Sequence, residues 1–320
     1  MKSYSKSALD NIARQEGFIR DNLEKVMRLA DILDYFHRSP LLSRTLALKG
    51  GTAINLAVFK MPRLSIDIDL DFSVDCDRDT MMATREQIRH EILRYMVSEG
   101  YTLSPASKMP HALDSWIFLY RNAVGNNDAI KIEINYSDRC HVFDPVNINV
   151  EVPFLCPFRI RALAPVELFA TKINALIGRA AARDIYDVDG MITTNLFPSQ
   201  EEREALRKTT LFYLTVGSSR KSDEDLNQLT RLSQMDKVKY AQIRTQLLPV
   251  LRKTERFDFE KMKKRVRDYL QELLLFTDRE KEYFKRFRER VYSPELLFDS
   301  PELTKRVAHH PMALWKMGKK

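Results

Sequence analysis

Ser65, Asp67, Asp69 and Asp71 alternate with Ile66, Ile68, Leu70 and Phe72. A period of two puts the four polar groups on one face of a strand. Same-face neighbours on a strand lie roughly 6–7 Å apart, and carboxylates so placed can lean toward cations about 3.5–4 Å apart. Without a counter-cation or solvent the acids repel and raise each other's pKa, and a divalent ion such as magnesium removes that cost. An edge strand whose acids simply face water would read the same way. What precedes the acids weighs against that plainer reading. Thr45 to Leu48 reads as a short buried strand, and Lys49-Gly50-Gly51-Thr52 then turns the chain into an apolar helical stretch, Ala53 to Phe59. Two glycines let backbone N–H groups approach a ligand, Thr52 is placed to cap the helix, and a helix N-terminus favours phosphate. A tight turn without a ligand would use the same glycines.

Three other stretches carry candidate chemistry. In Ala129 to Tyr136, Ile130, Ile132 and Ile134 take one strand face, while Lys131, Glu133 and Asn135 take the other. On its residues alone, Glu133 reads as half of a surface pair with Lys131 on an exposed strand face. From Pro165 a helix shows the apolar stripe Val166, Phe169, Ala170, Ile173, Leu176 and Ile177; Glu167 and Lys172 fall outside it, where solvated charges belong. In Arg183-Asp184-Ile185-Tyr186-Asp187 the two acids share a helix face and Arg183 can bridge to them, so a helix-capping network is one reading of Asp184. Lys49 and Arg63 flank turns, as exposed charges often do.

Taken together, strand, Gly-Gly-Thr, helix, Arg-x-Ser and Asp-x-Asp resemble the minimal nucleotidyltransferases related to DNA polymerase β. The pairing of KGGTA with RLSIDIDL is most similar to the AbiEii toxin family, and the resemblance runs from about Leu46 to about Asp189. The glycine-to-aspartate gap is longer than the superfamily's usual spacing and matches this branch better. The resemblance implies an α+β fold: an α/β catalytic core with a mixed sheet, followed by a mostly helical C-terminal domain. It implies that Asp67 and Asp69 hold Mg2+ or Mn2+, with Glu133 completing the metal site or acting as base. Lys172 would meet nucleotide phosphate, with Asp187 helping to position it, and Lys49, Gly50, Gly51, Thr52, Arg63, Ser65 and Asp184 would line the nucleotide. All would converge on one cleft. The implied reaction moves a nucleoside monophosphate from an NTP donor to a hydroxyl of RNA, the tRNA 3′ end first among candidates, in a toxin with a separately encoded antitoxin protein or in phage defence. Rival readings are transfer of AMP to a protein hydroxyl, an inactive nucleotide- or RNA-binding module, and a magnesium nuclease.

The surrounding elements follow from pattern. Ser7 to Phe36 reads as one or two bracing helices, and Arg78 to Ser98 as a helix with Met82, Ile88, Ile92, Leu93 and Met96 inward. Strands are expected at Tyr101 to Leu103, Ser115 to Arg121, Ala129 to Tyr136 and Val146 to Val152, with Gly125 to Asp128 as a turn. From Pro165 the pattern is helical, broken near Gly217-Ser218-Ser219, Pro294 and Pro301. This divides the chain into a catalytic core over residues 1–164 and a helical domain over 165–320.

A chain of 320 residues can hold two domains, and its 44% hydrophobic and 30% charged residues are ordinary for a globular protein. There are only nine glycines, and Walker A, GxSxG and HExxH sequences do not occur, which turns the reading away from P-loop NTPases, such hydrolases and zinc proteases. Cys76, Cys140 and Cys156 have no metal spacing and are expected as free thiols, with Cys140-His141 a loop dipeptide. No apolar run approaches the ~20 residues that span a bilayer, and the N-terminus lacks a signal-peptide core, so a cytoplasmic protein without membrane contact is expected. Residues 251–320 hold 19 Lys/Arg against 12 Asp/Glu, a net +7 of the chain's +8. The runs Lys261 to Arg267 and Lys285 to Arg288 suit RNA phosphates, and Tyr283, Phe284 and Phe287 serve either packing or base stacking.

Overall fold

The computed structural model describes residues 4–217 and 232–318, together with Leu226 and Thr230. Ser5 accepts a hydrogen bond from the Ala8 amide and starts α1 (Lys6–Glu16), and Gly17, at φ +75°, ends it. The bracing segment is therefore two helices, the second being α2 (Arg20–Arg38). Ser39 caps α3 (Pro40–Thr45), which delivers the chain into β1 (Leu46–Lys49). The glycine pair opens α4 (Gly50–Ala53), which runs into a π-helical turn, Ile54–Val58, closed by the Phe59 amide on the Ile54 carbonyl at 3.0 Å. After β2 (Asp67–Phe72), Asp77 accepts from the Thr80 amide at 2.7 Å and starts α5 (Arg78–Ser98). Then come β3 (Thr102–Leu103), β4 (Leu113–Arg121), β5 (Asn127–Asn135), β6 (Val146–Val150) and β7 (Phe158–Ala162).

Among the described residues, seven strands form one mixed sheet in the order β3-β4-β5-β2-β1-β7-β6. β2 runs parallel to β5 and β1 parallel to β7, while the other neighbours are antiparallel. Asn127 and Asp128, expected in a turn, already belong to β5. The tight reversal lies at 122–126, where Gly125 sits at φ +84° and Asn122 Oδ1 accepts from the Val124 and Asn126 amides. The sequence reading has no counterpart to β7. One sheet face is apolar: Ile68, Leu70, Trp116, Phe118, Ile130, Ile132 and Ile134 are buried, each worth about 1.5–3 kcal/mol relative to exposure. Helices cover that face, since Arg28 of α2 lies over the Tyr120 ring and Arg85 of α5 reaches Asp114. In α5 the buried apolar residues are Met81, Ile88, Ile92 and Met96; Met82 and Leu93, expected inward, are only half-buried.

The chain divides into two compact units. The first comprises Met1–Arg139, Pro145–Leu163 and Leu248–Glu255, and it contains the whole sheet. The second comprises Cys140–Asp144, Ala164–Leu247 and Arg256–Lys320. Its helices are α6 (Pro165–Arg179), α7 (Ala182–Thr193), α8 (Gln200–Val216), α9 (Phe259–Leu273), α10 (Asp278–Arg288), α11 (Pro301–Val307) and α12 (Pro311–Lys316). Capping boxes at Ser199/Glu202 and Thr277/Glu280 start α8 and α10. The break at Gly217 follows the end of α8, and Ser218 and Ser219 lie outside the described residues. Tyr283, Phe284 and Phe287 are buried, so of their two expected roles the structure shows packing and not base stacking. Among the described residues no helix is long and apolar enough to cross a membrane. The α+β class, with a mixed sheet and a helical remainder, is as the sequence implies.

Candidate active site

Register turns the acidic strand into part of a polar row. Lys49 on β1 stands opposite Asp69 on β2, Asp69 opposite Glu133 on β5, and Glu133 opposite Ser115 on β4. Neighbouring strands lie roughly 4.8 Å apart, so four polar side chains follow one another across the face away from the apolar core. Asp67 shares that face opposite Lys131, and Asp71 lies opposite Ala47 and Asn135. Asp67 and Asp69 are half-buried. Asp71 is only 3% exposed and is ion-paired with Lys49. Burial alone would push the Lys49 ammonium down, but Asp71, Asp138 and Asp69 outweigh it and hold its pKa above the usual lysine value. Lys49 is thus committed to the strand's own acids.

Gly50 is where the turn meets the strand. It adopts φ +69°, and a Cβ there would stand 2.5 Å from Asp69 Oδ2, so only glycine allows the turn and the carboxylate to approach so closely. Three expectations shift at this point. Thr52 is not the helix cap, because Lys49 occupies that position without a side-chain cap bond. The Thr52 hydroxyl lies inside the helix, within reach of Ser65 Oγ at 2.9 Å and of the Asp67 carbonyl. Ser65 is buried but precedes the strand, which starts at Asp67. Arg63, expected as a turn-flanking charge near nucleotide, is 1% exposed, and its guanidinium lies behind Gly51.

Glu133 accepts from Ser115 Oγ at 2.9 Å and pairs with Lys131 Nζ at 2.9 Å, so the Lys131/Glu133 pair anticipated as the plainer reading is present. Among the described residues no three His, Cys, Asp or Glu side chains are gathered into a group that could by itself hold a metal ion. Asp67 and Asp69 supply two hard oxygen donors on one strand face. That donor type suits magnesium, which is usually held by one or two carboxylates plus substrate phosphates and water. Ser115 escaped the sequence reading, although counting back from the reversal at 122–126 pairs it with Glu133.

In the second unit, Lys172 is not a solvated surface charge. It is 7% exposed and lies 3.0 Å from Asp184 and 3.1 Å from Asp187, which α7 presents from one face. Ala180, at φ +48°, makes the corner between the two helices. The guanidinium that grips Asp184 is Arg179, at 2.9 Å, where Arg183 was expected. Burial pushes the Asp184 carboxyl up, but Lys172 and Arg179 outweigh it and hold it at about 2. Glu167, also outside the apolar stripe, is fully buried. It accepts from the Val142 and Phe143 amides and from the Tyr213 hydroxyl. Arg265, in the first basic run, is bound to Asp189 by two hydrogen bonds of 2.6 and 3.0 Å. The three cysteines are free thiols.

Gly50, Gly51, Thr52, Ser65, Asp67, Asp69 and Glu133 therefore gather in the first unit, and Lys172, Asp184 and Asp187 in the second. MenT4, a nucleotidyltransferase toxin from Mycobacterium tuberculosis, has a similar fold: TM-score 0.66 at 14% identity, covering 96% of this chain and 99% of that one. A comparison with curated proteins gives no significant match. The family model described as nucleotidyl transferase AbiEii toxin, type IV TA system, matches residues 33–295. With more than half its length matched, and with the glycine turn set against the Asp67/Asp69 strand, the chain belongs to the AbiEii nucleotidyltransferase toxins of type IV toxin–antitoxin systems.

Proposed function

We propose that this toxin transfers a nucleoside monophosphate from an NTP to a hydroxyl of RNA, the 3′ end of tRNA being the acceptor of choice, and that it acts in the cytoplasm, with a cognate antitoxin protein as its partner or in phage defence. The observation that carries the reading is the contact between the φ +69° turn at Gly50 and Asp69. It sets backbone amides suited to phosphate beside carboxylates suited to a hard cation.

In this reading the backbone amides of Gly50, Gly51 and Thr52 bind the triphosphate, and Asp67 and Asp69 would hold Mg2+ or Mn2+. That cation supplies positive charge against the transferred phosphoryl group and the leaving pyrophosphate. Glu133 is the third carboxylate, offered either to the cation or to the proton of the attacking hydroxyl. Ser65 and Thr52 fix the helix against the strand. Lys172, steadied by Asp184 and Asp187, is the phosphate-charge group of the second unit, as the family signature implies. Exposed Lys261, Lys264 and Lys285 leave the C-terminal region basic toward RNA even with Arg265 committed to Asp189. Chemistry of this type is mostly positioning and electrostatics.

The test is incubation with each of the four α-phosphate-labelled NTPs and either total tRNA or cell protein. Label in RNA that remains full-length supports the reading. Label in protein alone overturns the RNA acceptor, shortened RNA favours a nuclease, and no label from any donor overturns the transferase.

A further inference from the structure

We propose that Arg63 is a positioning residue for the Gly50–Gly51 turn, acting from beneath it and locked there by the distant segment Leu248–Glu255; the inference rests on reading that turn as the phosphate site. At 1% exposure the Arg63 guanidinium cannot reach a nucleotide arriving from solvent. A buried cation is costly unless its donors are satisfied, and here Nη1 donates to the Leu64 carbonyl at 2.9 Å. Nη2 fills the space where a side chain on Gly51 would go: a Cβ at Gly51 would stand 2.9 Å from it and 3.1 Å from Ser65 Oγ. The second glycine of the pair is therefore explained by the arginine behind it.

Arg63 is itself pinned. It forms an antiparallel bridge with Leu251, and the Leu64 amide donates to the Val250 carbonyl at 2.8 Å. That segment is tied in turn to the α1–α2 corner. The Lys253 amide donates to the Gly17 carbonyl at 2.7 Å, Arg252 Nη1 reaches the Glu16 carbonyl and carboxylate at 2.6 Å each, and Asn22 Nδ2 donates to the Pro249 carbonyl at 2.7 Å. A segment far along the chain thus braces the loop that supports the turn. A planar guanidinium can donate and pack at once in a way an ammonium cannot.

Amide hydrogen exchange on the full chain, without nucleotide, tests this alongside steady-state kinetics. Arg63→Met is expected to lower protection at residues 50–56 by about tenfold or more while α5 keeps its own. It is expected to raise KM for the NTP by about tenfold with a smaller change in kcat. Arg63→Lys should rescue only partly. Should Arg63→Met fail to fold, Gly51→Ala probes the same contact from the other side and should loosen the same amides. Unchanged protection at residues 50–56 in Arg63→Met, or in Gly51→Ala if that variant must serve, would overturn the proposal. Because exchange needs no turnover, failure of the wild type to transfer label would count against the transferase reading and leave this result to stand by itself.

Discussion

The acids of β2 and the acids of α7 carry the same functional groups at similar spacing, yet the protein treats them differently. Asp67 and Asp69 stay half-buried beside a turn that only glycine permits, whereas Asp184 and Asp187 are sealed in with Lys172, and Arg179 adds a second cation on Asp184. Asp71 belongs with the second kind, since Lys49 neutralises it within the sheet. A carboxylate sealed against a cation gives the fold stability that depends on the pair, while one left partly open can take a ligand. The contrast predicts that the two clusters fail in different ways.

Asp69→Asn should give the largest effect. It removes a charge placed for the reaction, so transfer should fall at least about a thousandfold, or ~4 kcal/mol, while the melting temperature barely moves. A large loss of Tm would mean that the acid row is structural. Lys172→Met should cost stability as well as transfer. It leaves two buried carboxylates without their shared cation, and chemical denaturation should show about 3 kcal/mol of lost stability; a shift within error would show the cluster to be open to solvent.

The third prediction concerns acid. Asp184 is depressed from 3.8 to about 2, so its contribution is fully present above the unfolded value and is lost as pH falls through the folded one. Stability should therefore drop between pH 4 and 2 by roughly 2 kcal/mol from this group. The drop should shrink in Lys172→Met, and an unchanged acid limb there would contradict the pairing. The smallest effect is expected at Arg265→Ala. Its side chain is 48% exposed where it pairs with Asp189, so a cost of about 1 kcal/mol or less is expected by urea titration; a loss several times larger would make this clamp a core element.

Local signals in the sequence carried the elements, and distant partners decided the side chains. α5 was legible to the residue from Ile88, Ile92 and Met96 at helical spacing, and the alternation in β2 and β5 marked both strands that carry the acids. The fate of Lys172 and Glu167 was hidden, because helical periodicity ranks a face by its own residues. The partners that bury these two come from α7, α8 and the 142–143 backbone. Arg63 was hidden for the same reason, its cover arriving from residues 248–255. β7 was readable in principle, since Phe158, Ile160 and Ala162 alternate with Arg159 and Arg161, but five residues give period two little weight. Thr52 had the right type for a cap and the wrong position, because the helix starts at Gly50.

Calorimetric titration of Mn2+ together with a non-hydrolysable NTP into wild type and into the Asp67→Asn/Asp69→Asn pair is the most direct measurement of the claim that metal and triphosphate meet at β2. Each ligand is expected to tighten the other's binding in the wild type, and this mutual effect is expected to disappear in the double variant. Equal, mutually enhanced binding in both proteins would place the cation elsewhere and contradict that claim.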